Sequence, residues 1–344
     1  MTVNSPLETR DSKPAIRWGI LSTARIARTA FLPALRAAEA EAAVVGGRDL
    51  ERTRAFASES GIRRAVVGYD AVVEDPDVDA VYIPLPNSLH GEWAVRALEA
   101  GKAVLCEKPL CGDVTQAVQV LSTARMTRHP LWEAFVFPFH RQQNRLLELV
   151  QAEAIGHVRE IHSEFHFQLT SSTNIRLAPE LGGGGLNDVG CYPIRFAQLI
   201  FGRAPVRGTA VATYSDSGVD VDLQGVVEYD GGQRLVLSCG MTRNSGTYSR
   251  IVGDEGEIRV TNPFHARDFD TLEIRRGEEV SVEHLGSADP SFTPALQHIA
   301  MVVAGEEAPR HTALDDSLGT EVTIDLLRRS TTSGRVEPAA MPSQ

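Results

Sequence analysis

A lysine stands directly after a short apolar run in the first third of the chain. Apolar residues 103–105 lead into Cys106, Glu107 and Lys108, and Pro109 predicts the end of the strand. In open α/β sheets, the carboxyl ends of the strands form the edge where ligands bind. A lysine partly removed from water at such an edge can have a lowered pKa and exchange protons near neutral pH. We therefore predict Lys108 as the acid/base of an active site, with a solvated strand-end lysine as the alternative.

A carboxylate and a tyrosine share one face of a predicted helix later in the chain. Asp188 and Tyr192 are four residues apart, and the glycines at 182–185 let the chain turn tightly into a cleft. A tyrosine acts as an acid near neutral pH only beside a cation, which Lys108 can supply. We predict that Asp188 orients the substrate or tunes Lys108. A structural carboxylate bonded to nearby backbone is the alternative for Asp188.

A turn of small residues follows the first predicted strand. The dinucleotide fingerprint G-x-G-x-x-G/A falls on Ser22, Ala24 and Ala27, so small side chains are kept while both leading glycines are replaced. The backbone can still approach a pyrophosphate at the N-terminus of the following helix. An ordinary strand–turn–helix connection is the alternative. The cofactor contacts predicted on this turn are Ser22, Thr23, Ala24, Arg25 and Ile26.

The second predicted strand ends in Gly46, Gly47, Arg48 and Asp49. An acidic residue at this strand tip binds the ribose of NAD, whereas a small residue followed by arginine leaves room for the 2′-phosphate of NADP. We therefore predict Gly47 and Arg48 as cofactor contacts, with NADP(H) favoured and NAD(H) possible. Asp49 is interpreted as the N-cap of the next helix, with ribose binding as its alternative.

Strands and helices alternate through the first part of the sequence. Continuous apolar strands separated by amphipathic helices are typical of a parallel sheet covered on both faces. The predicted strands are 15–21, 41–46, 79–84, 102–106 and 131–137, and the predicted helices are 25–38, 50–60, 89–100 and 114–127. This pattern indicates a Rossmann-type dinucleotide-binding domain over 15–137, after a disordered tail at 1–14.

Strands dominate the second part of the sequence. They are predicted at 158–169, 206–214, 221–229, 234–239, 249–252, 257–260 and 271–274, with helices at 186–201, 294–304 and 315–330. We expect an α+β domain over 138–344 for substrate binding and oligomerisation, with a large, open-faced, mainly antiparallel sheet. The helix near 315–330 is expected to pack back on the first domain. An uncovered sheet face is usually buried against a partner, so we expect a homodimer or homotetramer.

Composition and charge favour a globular cytoplasmic protein. The 344 residues are 42% hydrophobic and 23% charged, with a formal net charge of -11. This charge argues against nucleic acid or an anionic membrane as a partner. We expect no signal peptide, and no apolar run in the sequence approaches the ~20 residues of a membrane span. The four cysteines lack C-x-x-C spacing, which predicts reduced thiols. A polar sheet face is preferred to a metal site for His162, Glu164 and His166, so no metal is predicted.

Six segments together resemble the glucose–fructose oxidoreductase, inositol dehydrogenase and related sugar dehydrogenase family (Gfo/Idh/MocA). They are WGILSTARIA at 18–27, IPLPNSLH at 83–90, CEKP at 106–109, EAF at 133–135, NIRL at 174–177 and GGGGLNDVGCY at 182–192. The likeness covers nearly the whole chain after residue 14. Within the family, the chain resembles the subgroup of D-xylose dehydrogenases, dihydrodiol dehydrogenases and sugar ketoreductases.

The resemblance implies a nicotinamide cofactor, a sugar-like substrate and a position for Lys108 near the reacting carbon. The substrate contacts that it implies are Lys108, Arg176, Asp188 and Tyr192. Tyr192 matches a position that serves as proton donor or substrate anchor in relatives. The residues that it places along the cofactor cleft are Pro84, Leu85, Pro86, Asn87, His90, Glu107 and Lys108. For His90, a capping or packing role is the alternative.

Together these features predict an NAD(P)-dependent oxidoreductase that interconverts a secondary alcohol and a ketone on a sugar or amino-sugar ring. The cofactor exchanges a hydride with the ring carbon, Lys108 moves the hydroxyl proton, and Tyr192 acts as partner or relay. Two alternatives stay open. One is oxidation of a cyclic diol in the manner of dihydrodiol dehydrogenases, and the other is a non-catalytic protein that senses the cofactor.

Overall fold

Two β-sheets organise the chain. The computed structural model describes residues 16–265 and 267–342, so the predicted tail at 1–14 and the predicted strand start at residue 15 lie outside the described part. The strands of the first sheet are β1 Arg17–Leu21, β2 Glu41–Gly47, β3 Arg64–Val67, β4 Ala80–Ile83, β5 Ala103–Cys106 and β6 Leu131–Glu133.

The first sheet is a parallel sheet of the Rossmann type. Its strand order is β3-β2-β1-β4-β5-β6, and each neighbouring pair is parallel. The chain reverses its direction of growth between β1 and β4, which opens a crevice at the carboxyl ends of these two strands. Because β4 and β5 are buried along their whole length, their apolar runs carry no alternation.

Helices cover both faces of this sheet. They are α1 Leu32–Ala37, α2 Leu50–Ser60, α3 Asp70–Val73, α4 His90–Glu99 and α5 Val114–Thr127. A π-helical turn, Ala27–Phe31, leads into α1. On one face, the Phe31 ring stacks on that of Tyr82 with centroids 4.0 Å apart, and Phe292 packs edge-on against both. Phe292 comes from the far end of the sequence, so the carboxyl-terminal part of the chain completes this core.

The second sheet has nine strands in the order β14-β13-β12-β11-β7-β10-β9-β8-β15. Its neighbouring pairs are antiparallel except β7 and β10. The strands are β7 Val158–Gln168, β8 Pro205–Tyr214, β9 Asp220–Tyr229, β10 Arg234–Gly240, β11 Thr242–Gly253, β12 Glu257–Thr261, β13 Thr271–Arg276, β14 Glu279–His284 and β15 Glu337–Pro338. The predicted fold class is confirmed.

Among the described residues, four α-helices follow the first sheet in the chain, and the last of them joins the two sheets. They are α6 Arg141–Gln151, α7 Cys191–Phe201, α8 Thr293–Val303 and α9 Ala313–Ser333. In α9, Thr320 donates to Gln198 of α7 at 2.6 Å, while Ser317 donates to Glu133 of β6 at 2.5 Å. The helix therefore packs against both halves of the molecule.

The helices within residues 16–265 and 267–342 leave one face of the second sheet uncovered. Thr209, Val226, Val236 and His162 follow one another across four strands, and the adjacent row contains Val211, which is 71% exposed. The surface is a shallow, largely apolar depression of about 610 Å³. We call it the open face.

Several elements differ from the sequence prediction for local reasons. The strand predicted over 131–137 ends at Glu133, because Phe137–Phe139 around Pro138 forms a 3₁₀ turn. Strands β3 and β15 and helix α3 span only two to four residues, too few to show a periodic pattern. Strand β14 and helix α6 were also not predicted. In α6, Leu146 is the one apolar residue that is buried, beside Gln142 and Gln143.

Candidate active site

Lys108 lies where the two sheets face each other. It follows β5 at the carboxyl edge of the first sheet, and its Nζ donates to the backbone carbonyl of Asp188 at 2.6 Å. The Asp188 carboxylate is 3.4 Å from the same nitrogen. With 12% of the Lys108 side chain exposed, the ammonium group is directed into the cleft and not into bulk solvent.

Asp188 and Tyr192 reach Lys108 from one continuous helical segment. A π-helical turn, Leu186–Gly190, runs directly into α7 and carries Asp188, and the first turn of α7 carries Tyr192. The Lys108 nitrogen lies 5.1 Å from the centroid of the Tyr192 ring, within the range of a cation–π contact. The three side chains predicted for chemistry are thus brought together.

Arg176 completes the surroundings of the Asp188 carboxylate. Its Nε donates to Asp188 Oδ2 at 2.6 Å, and its backbone N–H bonds to the Asn174 side chain. Two cations therefore flank Asp188, and they lower its pKa although burial alone raises it. Because the guanidinium is already paired with Asp188, the substrate contact predicted for Arg176 stays a prediction.

The protonation states at this centre correct the prediction for Lys108. Burial lowers the pKa of a lysine, but the acidic groups around Lys108, led by Tyr192 and Asp188, raise its pKa above the ordinary value. Burial also raises the pKa of Tyr192, and the lowering by Lys108 does not offset it. At neutral pH, both groups therefore carry their protons. The predicted lowering of the Lys108 pKa was wrong, because desolvation is outweighed by nearby negative charge.

Two buried glutamates hold the segment that follows Lys108. The N–H of Leu110 donates to Glu133 Oε1 at 2.8 Å, and the N–H of Cys111 donates to Glu321 Oε1 at 2.9 Å. Burial raises the pKa of Glu133 to about 7 and raises that of Glu321 well above the ordinary range. The sequence reasoning missed both roles. Glu133 belongs to the segment EAF at 133–135, which supported the family resemblance, but no role was predicted for it. No local sequence pattern indicates a role for Glu321.

Glu107 is fixed from the opposite side of the strand. Its Oε1 accepts a hydrogen bond from the Tyr82 hydroxyl at 2.7 Å, and burial raises its pKa. Tyr82 is fully buried in the aromatic stack of the first sheet. The core of the Rossmann sheet thus determines where Glu107, and with it Lys108, is placed.

The first βα turn has the shape that a pyrophosphate requires. Ser22 adopts a φ of 110°, a conformation that favours glycine, at a glycine position of the fingerprint. Its hydroxyl donates to the Pro84 carbonyl at 3.1 Å and accepts from the N–H of Ala24 at 3.2 Å. Thr23 and Ala24 are half-buried, while Arg25 and Ile26 are exposed. The small residues and exposed helix start fit a bound dinucleotide.

The residues at the tip of β2, where cofactor contacts were predicted, have different roles in the structure. Asp49 accepts from the N–H of Arg52 at 2.8 Å, so its interpretation as the N-cap of α2 is confirmed. Arg48 is exposed. Gly47 is buried, and a Cβ there would lie 2.1 Å from the Thr53 hydroxyl oxygen. Its small size is therefore needed for packing against α2, which leaves Arg48 as the side chain available to a phosphate.

The loop after β4 is mostly structural. His90 is completely buried, and its ring nitrogens lie 2.7 Å from the Pro109 carbonyl oxygen and 2.9 Å from that of Leu85. A direct cofactor contact by His90 is therefore corrected to the packing alternative, since the ring ties two loops together behind the cleft. The side chains of Pro84 and Leu85 are also buried, and Pro86 is half-buried. Asn87 donates to the Gly182 carbonyl at 2.9 Å across the cleft.

Within residues 16–265 and 267–342, no group of three histidine, cysteine or acidic side chains is arranged to hold a metal ion. His166 instead lies 2.9 Å from the Ser238 hydroxyl, and His162 bonds to Glu160.

Comparison with known proteins identifies the two halves of the chain. Residues 16–135 match the model of an oxidoreductase family with an NAD-binding Rossmann fold, and residues 144–259 match the GFO/IDH/MocA C-terminal domain. The chain belongs to the Gfo/Idh/MocA oxidoreductase family. The predicted resemblance is confirmed.

Named relatives of this Gfo/Idh/MocA protein act on sugars and cyclic diols. The chain is 35% identical to a D-xylose 1-dehydrogenase (NADP(+)) from Haloferax volcanii, over 92% of its own length and 98% of the relative's. It is 31% identical to trans-1,2-dihydrobenzene-1,2-diol dehydrogenase from Xenopus tropicalis, over 72% and 75%. The crystal structure of the 3-ketoreductase KijD10 from Actinomadura kijaniata, in complex with NADP and TDP-benzene, superposes with a TM-score of 0.85. It is 32% identical, with 92% of this chain and 98% of that chain covered.

Proposed function

We propose that this protein is an NADP(H)-preferring oxidoreductase that interconverts a secondary alcohol and a ketone on a sugar or amino-sugar ring. NADP-dependent sugar dehydrogenases, sugar 3-ketoreductases and dihydrodiol dehydrogenases among its relatives support sugar or cyclic-diol oxidoreductase activity. That the reacting carbon lies in the sugar ring, and that the sugar can carry an amino group, are our own proposals.

The contact between Lys108, Asp188 and Tyr192 is the observation that carries this function. It joins a proton-bearing cation, an ionised carboxylate and a neutral phenol at the carboxyl edge of a dinucleotide-binding sheet. When bound, the nicotinamide supplies or accepts the hydride. Ketone reduction then needs one proton at the carbonyl oxygen, and alcohol oxidation releases one.

The chain's own residues account for the proton and for orientation. The Lys108 ammonium group donates its proton to the substrate oxygen in reduction, and the Tyr192 hydroxyl anchors that oxygen or relays the proton. Asp188 keeps Lys108 charged and aimed into the cleft. Because the pKa of Lys108 is raised, proton donation is available at neutral pH, whereas proton removal from an alcohol becomes easier as the pH rises.

NADP(H) is preferred to NAD(H) in this proposal because an exposed cation, Arg48, lies at the tip of β2. Asp49, the acidic residue beside it, is engaged as a helix cap. A guanidinium meets a 2′-phosphate with charge-assisted hydrogen bonds. NAD(H) remains possible, since Arg48 can also stack on adenine in either cofactor.

Two other functions are weighed against this one. Aromatic rings around Tyr192 favour oxidation of a cyclic diol, the activity for which the Xenopus relative is named. A protein that only senses the cofactor would have no need for an acid/base pair. The presence of Lys108 and Tyr192 in contact argues against it.

The open face supports assembly into a homodimer or homotetramer. Its apolar side chains on β8, β9 and β10, together with the polar side chains on β7, would be covered if two copies packed face to face. The four cysteines are buried free thiols, which supports a cytoplasmic location. Across the described residues, the helices lack the combination of length and apolar character needed to cross a bilayer.

A screen of free and nucleotide-linked sugars, amino sugars and cyclic diols with NADP and with NAD tests the proposal. Formation or loss of reduced nicotinamide is followed by absorbance. We expect turnover with at least one ring alcohol or ring ketone, and faster turnover with NADP(H). Saturable cofactor binding without turnover on any of these substrates would favour the sensing protein.

A further inference from the structure

A wall of rings surrounds Tyr192 on the side of the second sheet. The ring centroids of Phe135, Phe165, Phe264 and His265 lie 5.2 to 5.5 Å from that of Tyr192. Phe135 and Phe264 are buried, whereas Phe165 and His265 are partly exposed. His265 therefore adds a polar edge to a wall that is otherwise phenyl and phenol.

The position of His265 is fixed by its neighbours. It follows β12 in the chain, directly after Phe264, whose fully buried ring stacks on Phe165 with centroids 5.7 Å apart. The imidazole meets Phe165 edge-on at 5.6 Å. Phe264 thus anchors the loop, and His265 is held against the same tyrosine that Lys108 contacts.

The imidazole is neutral at physiological pH. Burial lowers its pKa to about 4, and the positive charges of Lys108, His140 and Arg267 act in the same direction, while Asp188 opposes them. A neutral imidazole offers one N–H donor and one nitrogen acceptor. Among the residues that the structure describes, no side chain or backbone group forms a hydrogen bond with either nitrogen. Both polar atoms are therefore available to a ligand.

We propose that His265 is a specificity-determining residue that bonds an oxygen on the substrate ring carbon next to the reacting one. The inference rests on the proposed function, which puts the reacting oxygen between Lys108 and Tyr192. The imidazole of His265 lies beside Tyr192, with ring centroids 5.5 Å apart. A hydroxyl on the carbon next to the reacting one would therefore lie near the imidazole. The site then favours rings with adjacent oxygens over rings that carry hydrogen at that position.

The chemistry of hydrogen bonding sets the size of this preference. A substrate without the neighbouring oxygen leaves the desolvated imidazole unpaired, which costs more than the net value of one hydrogen bond. We expect the oxygenated substrate to be favoured about 10- to 100-fold in kcat/KM through His265. Replacement by phenylalanine keeps the ring packing on Phe165 and Tyr192 and removes both polar atoms.

A matched pair of ring ketones tests the proposal. With NADPH, the wild-type protein and His265→Phe are compared on 2-hydroxycyclohexanone and on cyclohexanone. We expect His265→Phe to lower kcat/KM for the hydroxyketone by ~10-fold or more, and to keep or raise kcat/KM for cyclohexanone, because phenylalanine leaves no polar atom unpaired. His265→Asn, which restores a donor and an acceptor, should recover part of the loss. His284→Phe, the same change at an exposed position of β14, should affect neither substrate.

Equal losses on both ketones would reveal a packing role for His265, and no loss on either would remove it from recognition. Each result overturns the proposal. If the wild-type protein reduces neither ketone, the proposed function fails for these rings, and binding decides the role of His265. Calorimetric titration of the NADP⁺-loaded protein with trans-cyclohexane-1,2-diol and with cyclohexanol should then show tighter diol binding that His265→Phe abolishes. Equal binding of both compounds by the wild-type protein overturns the inference.

Discussion

Carboxylates that are largely removed from water lie on both sides of the Lys108 segment, and their pKa values shift in opposite directions. In front, Asp188 meets the charged groups of Lys108 and Arg176, and its pKa is lowered. Behind, Glu133 meets the Ser317 hydroxyl and the Leu110 N–H, and burial raises its pKa to about 7. Burial opposes ionisation in both places. Full positive charges at hydrogen-bond distance overcome it, whereas backbone and hydroxyl dipoles do not.

The difference assigns different work to the two sides. The front carboxylate is ionised at neutral pH and holds the Lys108 proton in place. The rear pair, Glu133 and Glu321, bonds to the consecutive N–H groups of Leu110 and Cys111 and so fixes the backbone that carries Lys108. We therefore expect changes on the front side to affect the chemistry, and changes on the rear side to affect geometry and stability.

The largest effect is expected from removing the cation that faces Asp188. Lys108→Met keeps much of the side-chain volume and removes the proton donor, so we expect kcat to fall by at least ~10²-fold while NADP(H) still binds. Steady-state kinetics and cofactor titration check both parts. Wild-type turnover in this variant would show that Lys108 is not the acid/base.

A smaller loss, with a change in pH dependence, is expected from neutralising the front carboxylate. Asp188→Asn removes a charge that raises the pKa of Lys108, so that pKa should fall. Alcohol oxidation, which needs the unprotonated amine, should then reach its plateau at lower pH, with kcat about 10-fold reduced. The pH profile of kcat in the oxidation direction measures this.

Asp220→Asn is the matched control for that profile. Asp220 is half-buried in the same region and accepts from the Leu186 N–H at 2.6 Å, but desolvation raises its pKa, and Lys108 is not among the main groups that shift it. We expect the oxidation profile to keep its wild-type position. If the pH profile shifts equally in both variants, Asp188 affects it through the position of the segment 186–190 and not through its charge.

The sequence predicted the front of this arrangement better than the rear. Lys108, Asp188 and Tyr192 stand in motifs whose local spacing reveals a strand end and a helix face. Glu321 bonds to Cys111 across 210 positions, and His265 reaches Tyr192 from a loop, so tertiary packing alone identifies them. The direction of the Lys108 pKa was wrong for the same reason, since it depends on neighbours that spacing does not reveal.

The elements show the same division. Helix α2 was predicted over the residues that it occupies, with Asp49 as its cap, and so was α5, whose first turn Asp113 caps in the structure. Strand β14 was not predicted, although Val280 and Val282 alternate with polar residues; it lies at the sheet edge and its residues are mostly exposed. A helix cap is formed by residues adjacent in the sequence and can be recognised there. The pairing of an edge strand depends on which strand lies next to it in the fold.

Glu133→Gln tests the rear carboxylate through stability. In the unfolded chain a glutamate ionises near its ordinary pKa of 4.5, whereas Glu133 in the fold keeps its proton up to about pH 7. Between these values, the unfolded state loses a proton that the folded state retains, so the free energy of unfolding falls as the pH rises. Glutamine cannot titrate, and this part of the fall should disappear.

Urea unfolding at pH 5 and at pH 8 measures that difference. The free energy of unfolding of Glu133→Gln, relative to that of the wild type, should be higher at pH 8 than at pH 5. Glu148→Gln, at a largely exposed carboxylate on α6, should keep the wild-type dependence. If the pH dependence of Glu133→Gln matches the wild type, the rear carboxylate is ionised throughout and resembles Asp188.

The smallest effect is expected from Ser317→Ala, which removes one dipole from Glu133. The lost hydroxyl bond should raise the Glu133 pKa above about 7 and cost about 1 kcal/mol of stability, with kcat changed only a few-fold. Ser330→Ala, a fully buried serine on the same helix, is the control, because it bonds to the Arg335 carbonyl far from Glu133. Both variants should lose stability. Only Ser317→Ala should shift the pH range over which the free energy of unfolding falls to higher pH. If this range is the same in the two variants, the Ser317 hydroxyl does not affect the pKa of Glu133, and burial alone distinguishes the rear carboxylate from the front one.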